Sequence, residues 1–263
     1  MRGLSLLFFL LISLALLLPA PAAADLLITP KRLVLDSQSR DGIFRLVNTS
    51  DRAQSYELVW QQLRMNEMGT LDDMGENAAG AASRLLLLAP TRVTLQPGER
   101  QTVRLTPRLP EGLPEGEYMS HLLFRPVTPP PPPSSVTGQG AEMQLAVRVG
   151  FSIPVFLRHG NLSAQAAIRP IGIDANGVTV EMRREGTASI FGNLSMFWGQ
   201  PGKDGLQVGR LDSVAIYANL TQRTVTVPFD PASGVTVGAG LLMVRYIDPD
   251  SNAVLAESTV RLE

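Results

Sequence analysis

The sequence predicts an all-β protein built as two β-sandwich domains in series. Short runs of Val, Leu, Ile and Phe alternate with polar residues from position 25 onward and are punctuated by Gly, Pro, Asn and Asp, as in sandwich strands and their turns. One long alternating stretch, residues 143–157, separates a first set of such runs from a second. The chain has no cysteine, so disulfides and thiolate metal sites are excluded, and packing in two substantial cores must supply the stability.

The N-terminus carries one positive charge at Arg2, an apolar run over 4–18 and small residues at Ala22 and Ala24. This pattern predicts a secretory signal peptide over 1–24 with cleavage before Asp25, because the run falls short of the roughly 20 apolar residues of a spanning helix. The remaining length of about 240 residues suits two ordinary domains. With 23 Lys and Arg against 24 Asp and Glu and no basic block, nucleic acid is not an expected partner.

The first domain, 25–159, begins with predicted strands at 26–36, 42–48 and 55–64, the last holding Tyr56, Leu58 and Trp60 at period two. A polar, Gly-rich stretch at 66–83 reads as a loop. Strands at 84–89, 91–95, 101–106 and 117–125 follow, with a Pro-Gly turn at 96–99. Five consecutive prolines at 129–133 lack amide donors and form a projecting loop or a hinge. After them Met143, Leu145, Val147, Val149, Phe151, Ile153, Val155 and Leu157 are apolar at every second position. A single strand of that length would reach roughly 50 Å, beyond one sandwich, so it extends past its domain or along an exposed edge. Pro154 favours the edge, since proline cannot donate to a ladder, while a bulged strand broken at Gly150 is the alternative.

Residues 159–161 read as a hinge, and the second domain, 160–263, carries predicted strands at 163–170, 177–184, 190–198, 206–209, 214–217, 223–227, 240–247 and 253–262. The inventory argues against an enzyme. The histidines are His121 and His159, neither in a zinc-ligand spacing; the first reads as a satisfied sheet residue and the second as part of the hinge. No nucleophile elbow or phosphate loop is present, and the acidic pairs Asp72/Asp73 and Asp248/Asp250 fall in turn segments. No metal or cofactor is expected. An apolar strand at an edge is a liability unless something covers it, so the pattern predicts a protein partner.

Five segments in order carry a resemblance to a known family: 28–36 (ITPKRLVLD), 44–50 (FRLVNTS), 95–105 (LQPGERQTVRL), 116–124 (GEYMSHLLF) and 153–158 (IPVFLR). Together they resemble the PapD-like periplasmic chaperones of the chaperone/usher pathway, in a divergent, non-classical branch. The resemblance implies two immunoglobulin-like sandwiches and a periplasmic location. It also implies pilin or fimbrial subunits as clients and an outer-membrane usher to receive them. In that family the last strand of the first domain lends apolar side chains to an incomplete subunit by β-strand addition. The lending residues here would be Met143, Leu145, Val147 and Val149. The family also holds the subunit's C-terminal carboxylate with an Arg, matched by Arg32, and a Lys, whose position falls on Pro154. Arg148 and Arg158 are the candidates to assist Arg32, and Arg158 matches a cleft residue expected to pair with Glu117. An exposed edge of this kind also predicts a self-capping homodimer in the free state. The alternative is a secreted two-domain adhesin or carbohydrate-binding protein, with Tyr56, Trp60, Phe197 and Trp198 as stacking platforms.

Overall fold

The computed structural model describes residues 26–36, 39, 41–75, 78–127, 149–199 and 205–263. The predicted signal peptide, the prolines 129–133 and Met143, Leu145, Val147 and Arg148 lie outside the described residues.

The first domain contains β1 (Leu26–Thr29), β2 (Leu33–Leu35), β3 (Gly42–Asn48), β4 (Gln54–Gln61), β5 (Leu63–Met65), β6 (Leu71–Asp73), β7 (Leu86–Ala89), β8 (Arg92–Leu95), β9 (Arg100–Pro107), β10 (Gly116–Pro126) and β11 (Phe151–His159). One sheet has the order β1-β3-β9-β7 and the other β2-β11-β10-β4-β8. The segment predicted as one strand over 26–36 divides between the two sheets at Pro30, and β7 and β8 divide likewise at Pro90. A proline has no N–H for the ladder, so both prolines sit where the chain leaves one sheet for the other.

Period-two patterning places the core. Phe44 and Leu46 of β3, Val103 and Leu105 of β9, Leu122 and Phe124 of β10, and Ile153, Val155 and Leu157 of β11 all point inward. Phe44 and Phe124 meet edge to face at 5.7 Å between ring centres, joining the two sheets. The odd positions of β11 are thus the core face, as the alternation predicts. Phe156, on the opposite face, is also fully buried, for a reason that lies in the second domain.

The second domain contains β12 (Ala164–Asp174), β13 (Gly177–Gly186), β14 (Ile190–Gly199), β15 (Leu206–Ile216), β16 (Gln222–Pro228), β17 (Gly240–Ile247) and β18 (Val254–Leu262). Its sheets run β12-β13-β16 and β15-β14-β17-β18 around Val180, Met182, Leu194, Met196, Ile216, Val227, Val244 and Tyr246. The Tyr246 hydroxyl is satisfied by donating to the Val214 carbonyl at 2.8 Å.

Two further expectations change. The stretches 206–209 and 214–217 are one strand, β15, with an irregularity opposite Asn193. There Ser213 adopts φ 59 and its N–H donates to Asn193 Oδ1 at 3.0 Å, so the polar residues between the two predicted stretches form a bulge. The stretch 66–83 is not all loop, because its first part closes the β5-β6 hairpin. Asn66 builds the turn, its Oδ1 accepting the N–H groups of Met68 and Thr70 at 3.1 Å each, and Gly69 at φ 80 completes it.

Candidate functional site

The two sandwiches meet through a small apolar cluster and a buried polar clamp. Met65 of β5, Phe156 of β11, Ala215 of β15 and Tyr217 are buried together, with Phe191 and Leu220 packed against them. Phe156 and Tyr217 stand edge to face at 5.3 Å. This explains the burial of Phe156: its strand serves the first core with odd positions and the domain contact with an even one.

The clamp is centred on Glu117. β10 and β11 pair in a register that puts Glu117 opposite Arg158, and Arg158 Nε donates to Glu117 Oε2 at 2.9 Å. The Glu117 side chain is only 2% exposed, so its charge needs several donors. The second domain supplies them: the Ser189 N–H lies 3.1 Å from both carboxylate oxygens, and the Ser189 hydroxyl donates to Oε1. Arg158 completes the ring by donating from Nη2 to the Ser189 carbonyl at 3.0 Å. Asn219 adds a separate tie, its Nδ2 donating to the Met65 carbonyl at 2.8 Å.

Arg184 holds the second-domain half of this contact in shape. It is buried, and its guanidinium donates to the carbonyls of Gly186, Ala188, Ala218 and Leu220 at 2.7–3.0 Å. Those carbonyls belong to the two segments that present Ser189, Asn219 and Tyr217. Neither Arg184 nor Ser189 is marked by a sequence pattern, since each depends on carbonyls or a carboxylate distant along the chain.

Arg32 lies beside the clamp. Its guanidinium sits 4.7 Å from the centre of the Phe156 ring and 4.9 Å from that of Phe191, one ring from each domain. Its Nε is buried with no hydrogen-bond partner among the described residues. Burial, then the positive charge of Arg158, lowers the pKa of Arg32 from the usual arginine value. Arg158 is occupied by Glu117 and Ser189, so the structure pairs Arg158 with Glu117 and leaves Arg32 apart from the pair. Pro154 lines the same cleft as Arg32. Val149, the one described member of the predicted donor residues, is 63% exposed.

The stacking platforms of the alternative reading fare differently. Tyr56 is buried in the first core, Trp60 packs against that core, and Trp198 packs against the second with its Nε1 donating to the Gly238 carbonyl at 3.1 Å. Phe197 is half-buried beneath Arg245. His121 is buried, with Nε2 3.4 Å from the Tyr217 hydroxyl, and burial pushes its pKa down to about 4. Among the described residues no group of three or more His, Cys, Asp or Glu side chains could hold a metal, and no helix is long and apolar enough to cross a membrane.

This architecture defines an all-β protein of two immunoglobulin-like sandwiches with a cationic cleft between them. No protein-family model matches the chain, and no curated protein matches its sequence. Solved structures do. A Salmonella enterica SafB chaperone complex with the SafA pilin is 12% identical, covers 92% of this chain and 99% of that chain, and has a TM-score of 0.50. The Acinetobacter baumannii CsuC–CsuE chaperone–tip subunit complex is 13% identical, covering 91% of this chain and 98% of that one at 0.46. The Pseudomonas aeruginosa CupB2 chaperone is also 13% identical, covering 90% and 100% at 0.46. The chain has the PapD-like chaperone fold.

Two outcomes are expected from the domain contact. Glu117→Ala removes the acceptor of Arg158 Nε and of the Ser189 N–H and hydroxyl and weakens domain docking by about 1.5–3 kcal/mol. Limited proteolysis at residues 160–163 then accelerates, whereas an unchanged rate would show that the clamp does not hold the domains. His121 gives a pH dependence. With a folded pKa near 4 against an ordinary value near 6.5, the folded state binds fewer protons than the unfolded state between those values. Its contribution is therefore complete above about pH 6.5 and falls by about 2–3 kcal/mol on acidification to pH 4. Urea unfolding at pH 7.5 and 4.5 reads this directly, and His121→Gln flattens the difference; an equal pH dependence in both proteins would refute the assignment.

Proposed function

We propose that this chain is a periplasmic, non-enzymatic chaperone that binds pilin-like subunits by lending them a strand and passes them to an outer-membrane usher. The observation that carries the reading is the incomplete cover of β11. Its partner β10 runs the full length from Phe151 to His159, but β2 pairs with it only at Val155–Leu157. Among the described residues no strand pairs with the other side of Phe151–Pro154. That uncovered edge leads back to the exposed Val149 and so to the alternating Val147, Leu145 and Met143.

An edge with backbone donors and acceptors on one side and a continuous apolar row on one face suits β-strand addition. Hydrogen bonds supply affinity, and alternate side chains enter an open core. Burying four such side chains contributes about 1.5–3 kcal/mol each before ordering costs, enough for a tight complex that a better-fitting strand can displace. The fold shared with the SafB chaperone, solved with the SafA pilin, supports a client of the pilin class. The burial of Tyr56 and the packing of Trp60 and Trp198 against the cores weigh against an aromatic sugar platform.

The test is affinity purification of the tagged protein from its native periplasm, in wild-type form and as Val147→Asp with Val149→Asp. Val149 is exposed, so a charge there leaves the isolated fold intact. A small β-rich subunit is expected with the wild type and lost with the double variant. Binding that ignores the substitutions, or no bound subunit, would return the adhesin reading. In the free state the same edge is expected to cap itself in a homodimer. Sedimentation equilibrium would then show a concentration-dependent mass, and a monomer at every concentration would rule the dimer out.

A further inference from the structure

His121 is a buried histidine at the contact between the domains, and its surroundings make that contact sensitive to acid. It sits on β10 between Ser120 and Leu122, and Leu122 belongs to the first core. Strand alternation therefore turns His121 to the opposite face, where Met119 also meets the second domain. There its Nε2 lies 3.4 Å from the Tyr217 hydroxyl. Its Nδ1 is buried with no hydrogen-bond partner among the described residues, and the whole residue is 1% exposed. A neutral imidazole leaves one nitrogen unpaired in this setting. An imidazolium carries two N–H donors, and one of them would be a buried donor on a charged ring with no acceptor.

The ionisable groups around it do not offset that charge. Gln61 of β4 and Pro154 of β11 lie beside His121 in register, and neither is ionisable. Glu117, on the same face of β10, is taken by Arg158 of β11 and by Ser189. Arg64 of β5 is exposed, and Arg32 and Arg223 are further cations, in the cleft that Tyr217 also lines. Asp248 is held in its own turn by the N–H groups of Asp250 and Ser251. Tyr217 itself stays neutral, because burial pushes its pKa up to about 12. Tyr217 is also tied to the clamp. The N–H of the next residue, Ala218, donates to the Ser189 hydroxyl at 3.0 Å, and the Ser189 N–H donates to Glu117. A displacement of Tyr217 from His121 thus pulls on the bonds that dock the domains.

We propose that His121 is an acid-sensitive release for the domain contact: its protonation drives it from its place against Tyr217, breaks the Ser189–Glu117 bonds and separates the two sandwiches while each stays folded. The sign follows from where the proton is bound. With the domains docked, burial holds the His121 pKa at about 4; with them apart, the ring meets water and the ordinary value near 6.5 applies. The open state holds more protons between those values, so the docked state loses its advantage as pH falls through that window. From pH 7.5 to pH 5 the ratio of open to docked molecules rises roughly 30-fold. The release uses no client, so it stands or falls apart from the chaperone reading.

The Ser189 amide reads the opening, because its N–H donates to Glu117 across the contact and exchanges with solvent when that bond is broken. Hydrogen exchange of the ¹⁵N-labelled protein at pH 7.5 and pH 5, corrected for the intrinsic pH dependence of amide exchange, gives its protection factor. The amides of Val180 and Val244, in the core of the second domain, give the protection against unfolding. In the wild type, Ser189 protection is expected to fall about tenfold or more on acidification and to stay below that of the two core amides at both pH values. His121→Gln and His121→Leu cannot take up the proton, and in them the fall is expected to be less than about threefold. Two variants are used because either may disturb the contact, and the amide spectrum shows which is folded as the wild type is. A smaller fall in the wild type, an equal fall in a folded variant, or Ser189 protection equal to that of Val180 and Val244 would overturn the proposal; the last would mean that acid unfolds a domain rather than releasing it.

Discussion

A carboxylate removed from water must find donors, and the placement of Glu117 makes both domains provide them. The β10-β11 register brings Arg158 to it from within its own sheet, and Ser189 reaches it from the second sandwich. Separation of the domains would exchange the Ser189 donors of Glu117 for water, and those directional bonds form in one relative orientation. The apolar cluster of Met65, Phe156, Ala215 and Tyr217 adds area, but apolar contact is non-directional. The clamp is the element that makes the arrangement specific.

The cleft follows from that orientation. Phe156 and Phe191 come from different domains, and the ring pair that flanks Arg32 exists only when the sandwiches are docked. The same docking seats Arg223 against the Gly69 turn. The second domain meets these demands with a rigid edge: the buried Arg184 gathers four carbonyls, and those bonds hold the segments carrying Ser189, Asn219 and Tyr217. The proposed client strand and the cationic cleft are adjacent by construction, because β11 forms the uncovered edge at Phe151–Pro154 and contributes Pro154 to the cleft.

Where sequence reading succeeded, the reason was periodicity. Ile153, Val155 and Leu157 face the core because a strand with one buried face must alternate, and the same rule located β3, β9 and β10. It failed where a local polar cluster had two possible uses. Asp212 and Ser213 interrupt the apolar pattern between 206–209 and 214–217, yet opposite Asn193 they form a bulge within β15. The signal for the β5-β6 hairpin was present in Asn66 and Gly69, but the polar residues around them hid the short ladder. Phe156 falls between the alternating apolar positions, and periodicity, which describes one core, says nothing of its burial by a second domain.

The amino-acid sequence by itself determined the all-β class with two sandwiches and the single apolar face of the strand ending at Leu157, since each follows from alternation, whereas the pairing of Glu117 with Arg158 was implied only by the family resemblance. The tertiary structure alone decided that Ser189 completes the Glu117 site, that Arg184 supports it, and that Arg32 and Arg223 share one cleft. Ser189 is 72 residues from its partner along the chain. Arg32 and Arg223 lie on opposite domains. Their proximity is set by how two finished sandwiches dock, a property of buried charge and surface shape that no local pattern of residues encodes.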